Sequence, residues 1–319
     1  MLVVSGVAAD LDYLSYFGGP AAFLRFHRTL LHSVLGSTLV ALIVAAAFFG
    51  VHRLRNRAVQ SINSNPAVPE FRVGVALLVC AIAAASHVLL DLVSGVGVQP
   101  FWPFRAGWKG WELLNNLDPW ILTLLAAALL LPQLQRLVSE EIGEQKKTFR
   151  GRRAAIAALA ILVLYIGARA GLHRQAIHLL DSREYHGRPP VVAAAFPMPA
   201  TPFLWRGVES TDATIEELQI SLLPGAEFDP DRGFTRYKPE TSAALDAGQR
   251  TEAAATFLAY ARIPFASVHR LDEGYRFELH DLRFASNDAS PENIFVRVDF
   301  NSSLQIKSDE LRYASSKSP

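Results

Sequence analysis

Four long apolar runs constrain this chain more than any other feature: residues 34–51, 73–95, 119–138 and 154–172. A helix that crosses the hydrocarbon core needs roughly 20 mainly apolar residues, and each run approaches or meets that length. One such run could be a buried helix of a soluble core. Four of them, separated by short polar connections, predict a polytopic membrane domain. None reads as a signal peptide, because each is too long and none sits at the N-terminus behind a basic leader. Only 19% of the chain is charged, against about a quarter in a soluble domain. The deficit falls between Val34 and Leu172, and the charge density is ordinary from Arg174 onward. The chain therefore reads as an α-helical polytopic membrane domain, residues 1–172, followed by a small soluble α+β domain, residues 173–319.

The connections set the orientation, because cytoplasmic loops are enriched in Lys and Arg. Arg53, Arg55, Arg57 and Arg72 lie between the first two runs, and Lys146, Lys147, Arg150, Arg152 and Arg153 between the last two. The alternate connections are poorer: Arg25 and Arg28 precede the first run, and Arg105 and Lys109 lie between the second and third. The basic loops are expected inside. The His27 region, the 96–118 loop and the C-terminal domain are then expected outside, with Trp102, Trp108, Trp111 and Trp120 forming an interfacial belt. Residues 1–9 are apolar but too short to span. They read as the end of a helix begun upstream, or as a short re-entrant piece, the first being preferred.

Net charge near +1 argues against a nucleic-acid partner. The single cysteine, Cys80, excludes an intrachain disulfide and a thiolate zinc site. No Walker loop, dinucleotide glycine pattern or serine nucleophile elbow appears.

What remains is a set of ionisable residues where the membrane makes them costly, which by default marks function. Asp10 and Asp12 end the N-terminal apolar piece. His27, Arg28 and His32 lie just before the first span. His87 and Asp91, four apart and so on one helix face, lie near the outer end of the second. Asp118 opens the third ahead of Pro119. His27 and His32 are five apart, about 140° on a regular helix, so His27 is expected on a loop or first turn. Each has a structural alternative: Asp118 as a helix cap, His32 with Ser33 as interhelical hydrogen bonding, His87 with Asp91 as a buried pair. Their agreement in depth and side favours a site. Imidazoles and carboxylates without thiolates suit zinc, with manganese and iron as the other candidates. Asp12, His27, His32, His87 and Asp91 are expected as ligands, with heads within roughly 5 Å of one another. Asp12 is preferred to Asp10 as a ligand because it lies nearer the outer loop, while either could instead orient a ligand. Asp10 and Asp118 are left as candidate catalytic carboxylates, and Arg28 as a candidate for holding an anionic substrate group or anchoring at the interface.

Asp10-Leu11-Asp12, His27-Arg28 with His32-Ser33, His87 and Asp91 followed by Gly97-Val98-Gln99-Pro100-Phe101-Trp102-Pro103-Phe104, and Asp118-Pro119-Trp120 occur in an order that resembles the LexA-regulated, membrane-bound metal-dependent hydrolases of bacteria. The resemblance covers residues 1–172, and Asp281-Leu282-Arg283-Phe284 is similar to longer members. It implies a multi-pass inner-membrane protein that binds a divalent metal and hydrolyses a substrate. Members usually carry a Thr-His pair on a further N-terminal helix, and this sequence has no counterpart of it. The expected partner is membrane lipid, with a lipid-like or envelope ester or phosphoester as substrate; the alternative is a non-catalytic metal-binding scaffold whose C-terminal domain binds a partner. In that domain, residues 215–222, 265–271, 275–282, 295–300 and 304–306 read as strands and 240–247 and 251–261 as helices. Glu273-Gly274 reads as a hairpin turn, and the proline-rich lead-in as extended chain. His173, His178, His186, His269 and His280 read as surface or packing residues.

Overall fold

The computed structural model describes residues 1–62, 69–141, 150–199, 201–229, 232–284, 288 and 290–314; Lys146 and Lys147 of the expected inner loop lie outside them. In chain order the elements are α1 (Leu2–Val7), a 3-10 helix (Ala8–Gly18), α2 (Pro20–Phe26), α3 (Val34–Ile62), α4 (Val73–Val93), α5 (Pro119–Glu141) and α6 (Arg150–Asp181). There follow β1 (Val192–Pro197), β2 (Leu204–Ser210), β3 (Thr214–Ser221), β4 (Phe234–Tyr237), α7 (Ala243–Gln249), α8 (Glu252–Leu258), β5 (Pro264–Leu271), β6 (Gly274–Asp281), β7 (Ile294–Phe300) and β8 (Ile306–Tyr313). Among the described residues, four helical stretches are long and apolar enough to cross a membrane: Val34–Ser61, Val73–Val93, Pro119–Val138 and Gly151–Asp181. The expected class holds, with membrane helices followed by a soluble α+β portion. The first and last helices overrun their apolar runs, because a helix continues through good formers such as the Arg53–Arg57 segment after hydrophobicity ends.

The chain groups into two compact units, and they cut across a division at Leu172. The first comprises residues 1–111 and 239–319, the second residues 112–238.

In the first unit α4 presents a stripe of small buried residues, Ala76, Cys80, Ala83 and Ala84, at helical spacing. Val40, Ala41, Val44 and Ala45 of α3 share a core with Cys80 and Ala84, and Ser5 Oγ of α1 donates to the Cys80 carbonyl at 2.8 Å. Small side chains let helix backbones approach closely where lipid supplies no hydrophobic drive. The same stripe runs on at spacings of three and four to His87 and Asp91. In the C-terminal part of this unit, β5–β6–β7–β8 form an antiparallel sheet. The β5–β6 turn is closed by Gly274, at φ 146°, where a Cβ would come within 1.9 Å of the Phe300 carbonyl oxygen. Phe257 of α8, Phe277, Val296, Val298 and Phe300 form the core, and Phe23 and Leu24 of α2 and Val96 belong to the same cluster. Arg283, bound through Nε to Asp281 at 2.7 Å, donates Nη1 to the Val96 carbonyl at 2.8 Å. That shared core is why residues from both ends of the chain form one unit.

In the second unit β1–β2–β3–β4 form another antiparallel sheet, packed on the last turns of α6 through Ala176, Leu180, Ala195, Trp205, Leu218 and Ile220. The Arg169 guanidinium lies 4.1 Å over the Trp205 ring and donates to the Leu113 carbonyl at 2.9 Å. Strand β1 falls in the segment read from sequence only as extended lead-in, and β2 and β4 fall where no element was expected. Strand β8 runs from Ile306 to Tyr313, later and longer than the stretch expected at 304–306.

Candidate metal centre

Three segments of the first unit carry the site. The 3-10 helix has about three residues per turn, so positions i and i+3 eclipse and two residues two apart face different ways. Asp12 therefore points into the unit, with its side chain 6% exposed, while Asp10 stands at the edge at 52%. The second segment is the turn between α2 and α3. Arg28 takes φ 56°, a left-handed conformation rare for a non-glycine residue. Ser33 caps α3 by accepting from the Gly36 amide at 2.9 Å. Gly36 is required there, since a Cβ would lie 1.8 Å from the Leu30 carbonyl oxygen. His27 stacks on Phe23 with ring centroids 4.4 Å apart. The third segment is the end of α4, with His87 and Asp91 one turn apart.

The heads of four of these residues meet. His32 Nε2 and His87 Nε2 are 3.2 Å apart. Asp91 Oδ2 lies 3.1 Å from the first and 3.3 Å from the second, and Asp10 Oδ1 lies 3.8 Å and 3.3 Å from them. Nitrogen and oxygen donors bound tetrahedrally to zinc at about 2.05 Å stand about 3.3 Å apart, so the spacing is that of a cation-sized gap. The ligand atoms of Asp10, His32 and His87 all lie within 4.8 Å of one another. Asp91 Oδ2 and His27 Nε2 are buried without a hydrogen-bond partner.

Around this group lies a layer that orients it. Asp12 binds His32 Nδ1 at 2.8 Å and His27 Nδ1 at 3.0 Å, and accepts from the Arg28 amide at 2.9 Å. A carboxylate on Nδ1 fixes the imidazole so that Nε2 faces the other heads. Arg28 reaches Ser94 Oγ at 3.2 Å and Asp91 Oδ1 at 3.4 Å. Glu292 lies 3.6 Å from His27 Nε2. Burial opposes ionisation of Asp12, yet the two imidazoles hold its carboxyl below the usual range. Asp10 is held below its usual range in the same way, by His32 and His87. Burial likewise opposes charge on His32, and Asp10, Asp12 and Asp91 push it up to about 10. His27 is raised against burial by Asp12 and Glu292. The cluster thus favours a positive species at its centre, which protons or a cation can supply.

The structure brings Asp10, Asp12, His27, Arg28, His32, His87 and Asp91 together, with the Asp10 carboxylate beside the Nε2 atoms of His32 and His87 and the Asp12 carboxylate on the Nδ1 atoms of His27 and His32. Asp10 joins the facing heads, and Asp12 orients His32 and His27, because two-residue spacing on a 3-10 helix turns only one of them inward. Asp118 belongs to the second unit. Its carboxylate accepts from the Trp120 and Ile121 amides at 3.0 and 3.2 Å and from the Tyr165 hydroxyl at 3.1 Å, the geometry of a helix cap. Sequence reasoning missed Glu292 and Ser94. Neither had a periodic or motif signal; Glu292 is a loop residue whose place depends on how β7 is fastened. Asp281 and Arg283, noted for their likeness to longer members, fasten the second sheet to Val96 instead of entering the site.

Apolar spans with ionisable heads gathered at the end of one of them define a membrane protein with a polar centre built on its helices. The family model described as "YdjM inner membrane protein" matches residues 1–176, just over half of the chain. The protein belongs to that inner-membrane family. Comparison with curated proteins and with solved structures gives no match.

Proposed function

We propose that this protein is a membrane-bound metal-dependent hydrolase whose centre is held by His32, His87, Asp91 and Asp10. The observation that carries the reading is the set of five donor separations of 3.1 to 3.8 Å, in a donor set of two imidazoles and two carboxylates that suits zinc, manganese or iron. The likeness of residues 1–172 to LexA-regulated metal-dependent hydrolases supports it. A divalent ion bound there would lower the pKa of a coordinated water toward 7 and so supply a nucleophile near neutral pH. Asp12 holds His32 in its binding tautomer and fixes His27 and the Arg28 backbone. Asp10, the most exposed of the four donors, is the one that an entering group meets first. Arg28 neutralises Asp91 and is the nearest fixed cation for an anionic group. The substrate class is a lipid or envelope-associated ester or phosphoester, met at the outer face, with the C-terminal portion extracytoplasmic. Elemental analysis of detergent-purified protein tests the centre: the wild type should carry a stoichiometric divalent metal and His87→Ala should lose it while still inserting. Metal retained by His87→Ala would sink the reading.

A further inference from the structure

We infer that the centre opens sideways into the bilayer and takes its substrate as a membrane-resident lipid, with the outer ridge of the 3-10 helix as the lipid-contacting lip. The inference rests on the proposed function for the chemistry and narrows its substrate from envelope esters in general to lipids.

The 3-10 helix sorts its residues into three rows by its three-residue period. Ala9, Asp12 and Ser15 make the inward row, buried or half-buried. Leu11, Leu14 and Phe17 make a second row, and they are 60%, 63% and 84% exposed. Asp10, Tyr13 and Tyr16 lie between them. Phe17 meets the Tyr16 ring edge-on at 6.0 Å, yet the Leu-Leu-Phe row stays largely exposed, and such an apolar patch marks a surface that meets protein or membrane. Here the covering medium follows from continuity. The helix runs directly on from α1, whose Val7 is exposed and whose Ser5 is bonded to α4, and α4 is a candidate span in a family of inner-membrane proteins.

The route into the centre runs beside this row. His32, His27 and Asp12 are sealed, and Asp10 and then His87 are the heads most open to the surface. Leu90, one turn beyond His87 on α4, is also exposed. Exposed apolar side chains thus stand near both open heads in the chain, Val7 and Leu11 around Asp10 and Leu90 beyond His87, and a group arriving at the donors meets apolar edges. A water-soluble ester would leave those edges bare. A glycerolipid would cover them with its chains while its ester or phosphoester linkage reaches the level of Asp10 and His87, the depth at which the span ends.

Photolabelling of the full chain in phosphatidylethanolamine–phosphatidylglycerol vesicles decides this. Two probes are used: a phosphatidylethanolamine with a diazirine close to its ester linkage, and water-soluble glycerol 3-phosphate bearing the same diazirine. The lipid probe should label peptides containing residues 7–17 and the α4 segment around His87, and the soluble probe should not. Leu14→Glu with Phe17→Glu should lose the lipid labelling and keep the wild-type metal content, since neither side chain touches a donor. Labelling by the soluble probe, or lipid labelling undiminished in the double variant, overturns the inference. His87→Ala separates the two readings: with labelling kept and metal lost, both stand. With labelling and metal both kept, the metal centre fails and the lipid opening remains.

Discussion

At the scale of single residues the two N-terminal aspartates show how far a two-residue step changes what a side chain meets. They are two positions apart in identical apolar surroundings, and only the 3-10 winding turns Asp12 toward the Nδ1 atoms of His27 and His32 while leaving Asp10 beside the Nε2 atoms. Replacing a carboxylate that orients a ligating imidazole typically costs 10–100-fold in metal affinity. Asp12→Asn should therefore weaken zinc binding by about that factor without abolishing it, as measured by competition with a chromogenic chelator. An affinity equal to wild type would show that Asp12 does not orient His32. The residue types of the centre were legible in the sequence because charge beside a span is rare. Which nitrogens each aspartate faces was not, since it depends on the local helix type.

At the scale of elements, strands were legible where β-branched and aromatic residues alternate, as in β6 and β7. They were missed where composition is neutral. β1 is Val-Ala-Ala-Ala-Phe-Pro, and β2 contains Gly207, whose Cβ would meet Leu180 and Ile220 at 2.9 Å. Those segments become strands because they pair, Ala195 with Gly207 and Trp205 with Ile220, and intrinsic β-preference is a weak guide beside packing. The pairing also places Glu209 opposite Glu216. Glu216 is held by Thr235 Oγ1 at 2.8 Å and His186 Nε2 at 3.0 Å, whereas Glu209 is 0% exposed with neither oxygen bonded. Burial, reinforced by Glu216 and only partly offset by Lys238, pushes the Glu209 carboxyl up to about 7. Its folded pKa thus exceeds its unfolded value near 4.5. The folded state binds the extra proton between those two values, so this contribution to stability is complete below about pH 4.5 and is lost as pH rises through 7, by about 3 kcal/mol in all. Thermal unfolding followed by tryptophan fluorescence should show the full chain less stable at pH 8 than at pH 5, and Glu209→Gln should remove most of that difference. A Glu209→Gln variant with the wild-type pH dependence would refute the assignment.

At the scale of the whole molecule the expected orientation rests on the Arg53–Arg72 connection being inside and the C-terminal portion outside. Single cysteines introduced at Arg57 and Ser302, in a Cys80→Ala background, should react from opposite sides with an impermeant maleimide. Equal labelling of both from outside would reverse the scheme. The sequence by itself determined that the chain enters a membrane, roughly where its four long helices run, and which ionisable side chains are too costly there to be incidental. Hydrophobic length and desolvation cost are properties of the residues themselves, readable without coordinates. Only the tertiary structure decided that His32, His87, Asp91 and Asp10 share one gap, that Asp118 caps a helix in another unit, and that Glu292, some 265 positions from His27, stands beside it. Those outcomes depend on helix winding, on small residues that let α1, α3 and α4 close up, and on a shared core that joins Phe23 and Val96 to the second sheet. The last two are properties of packing between distant segments, which local patterning does not encode.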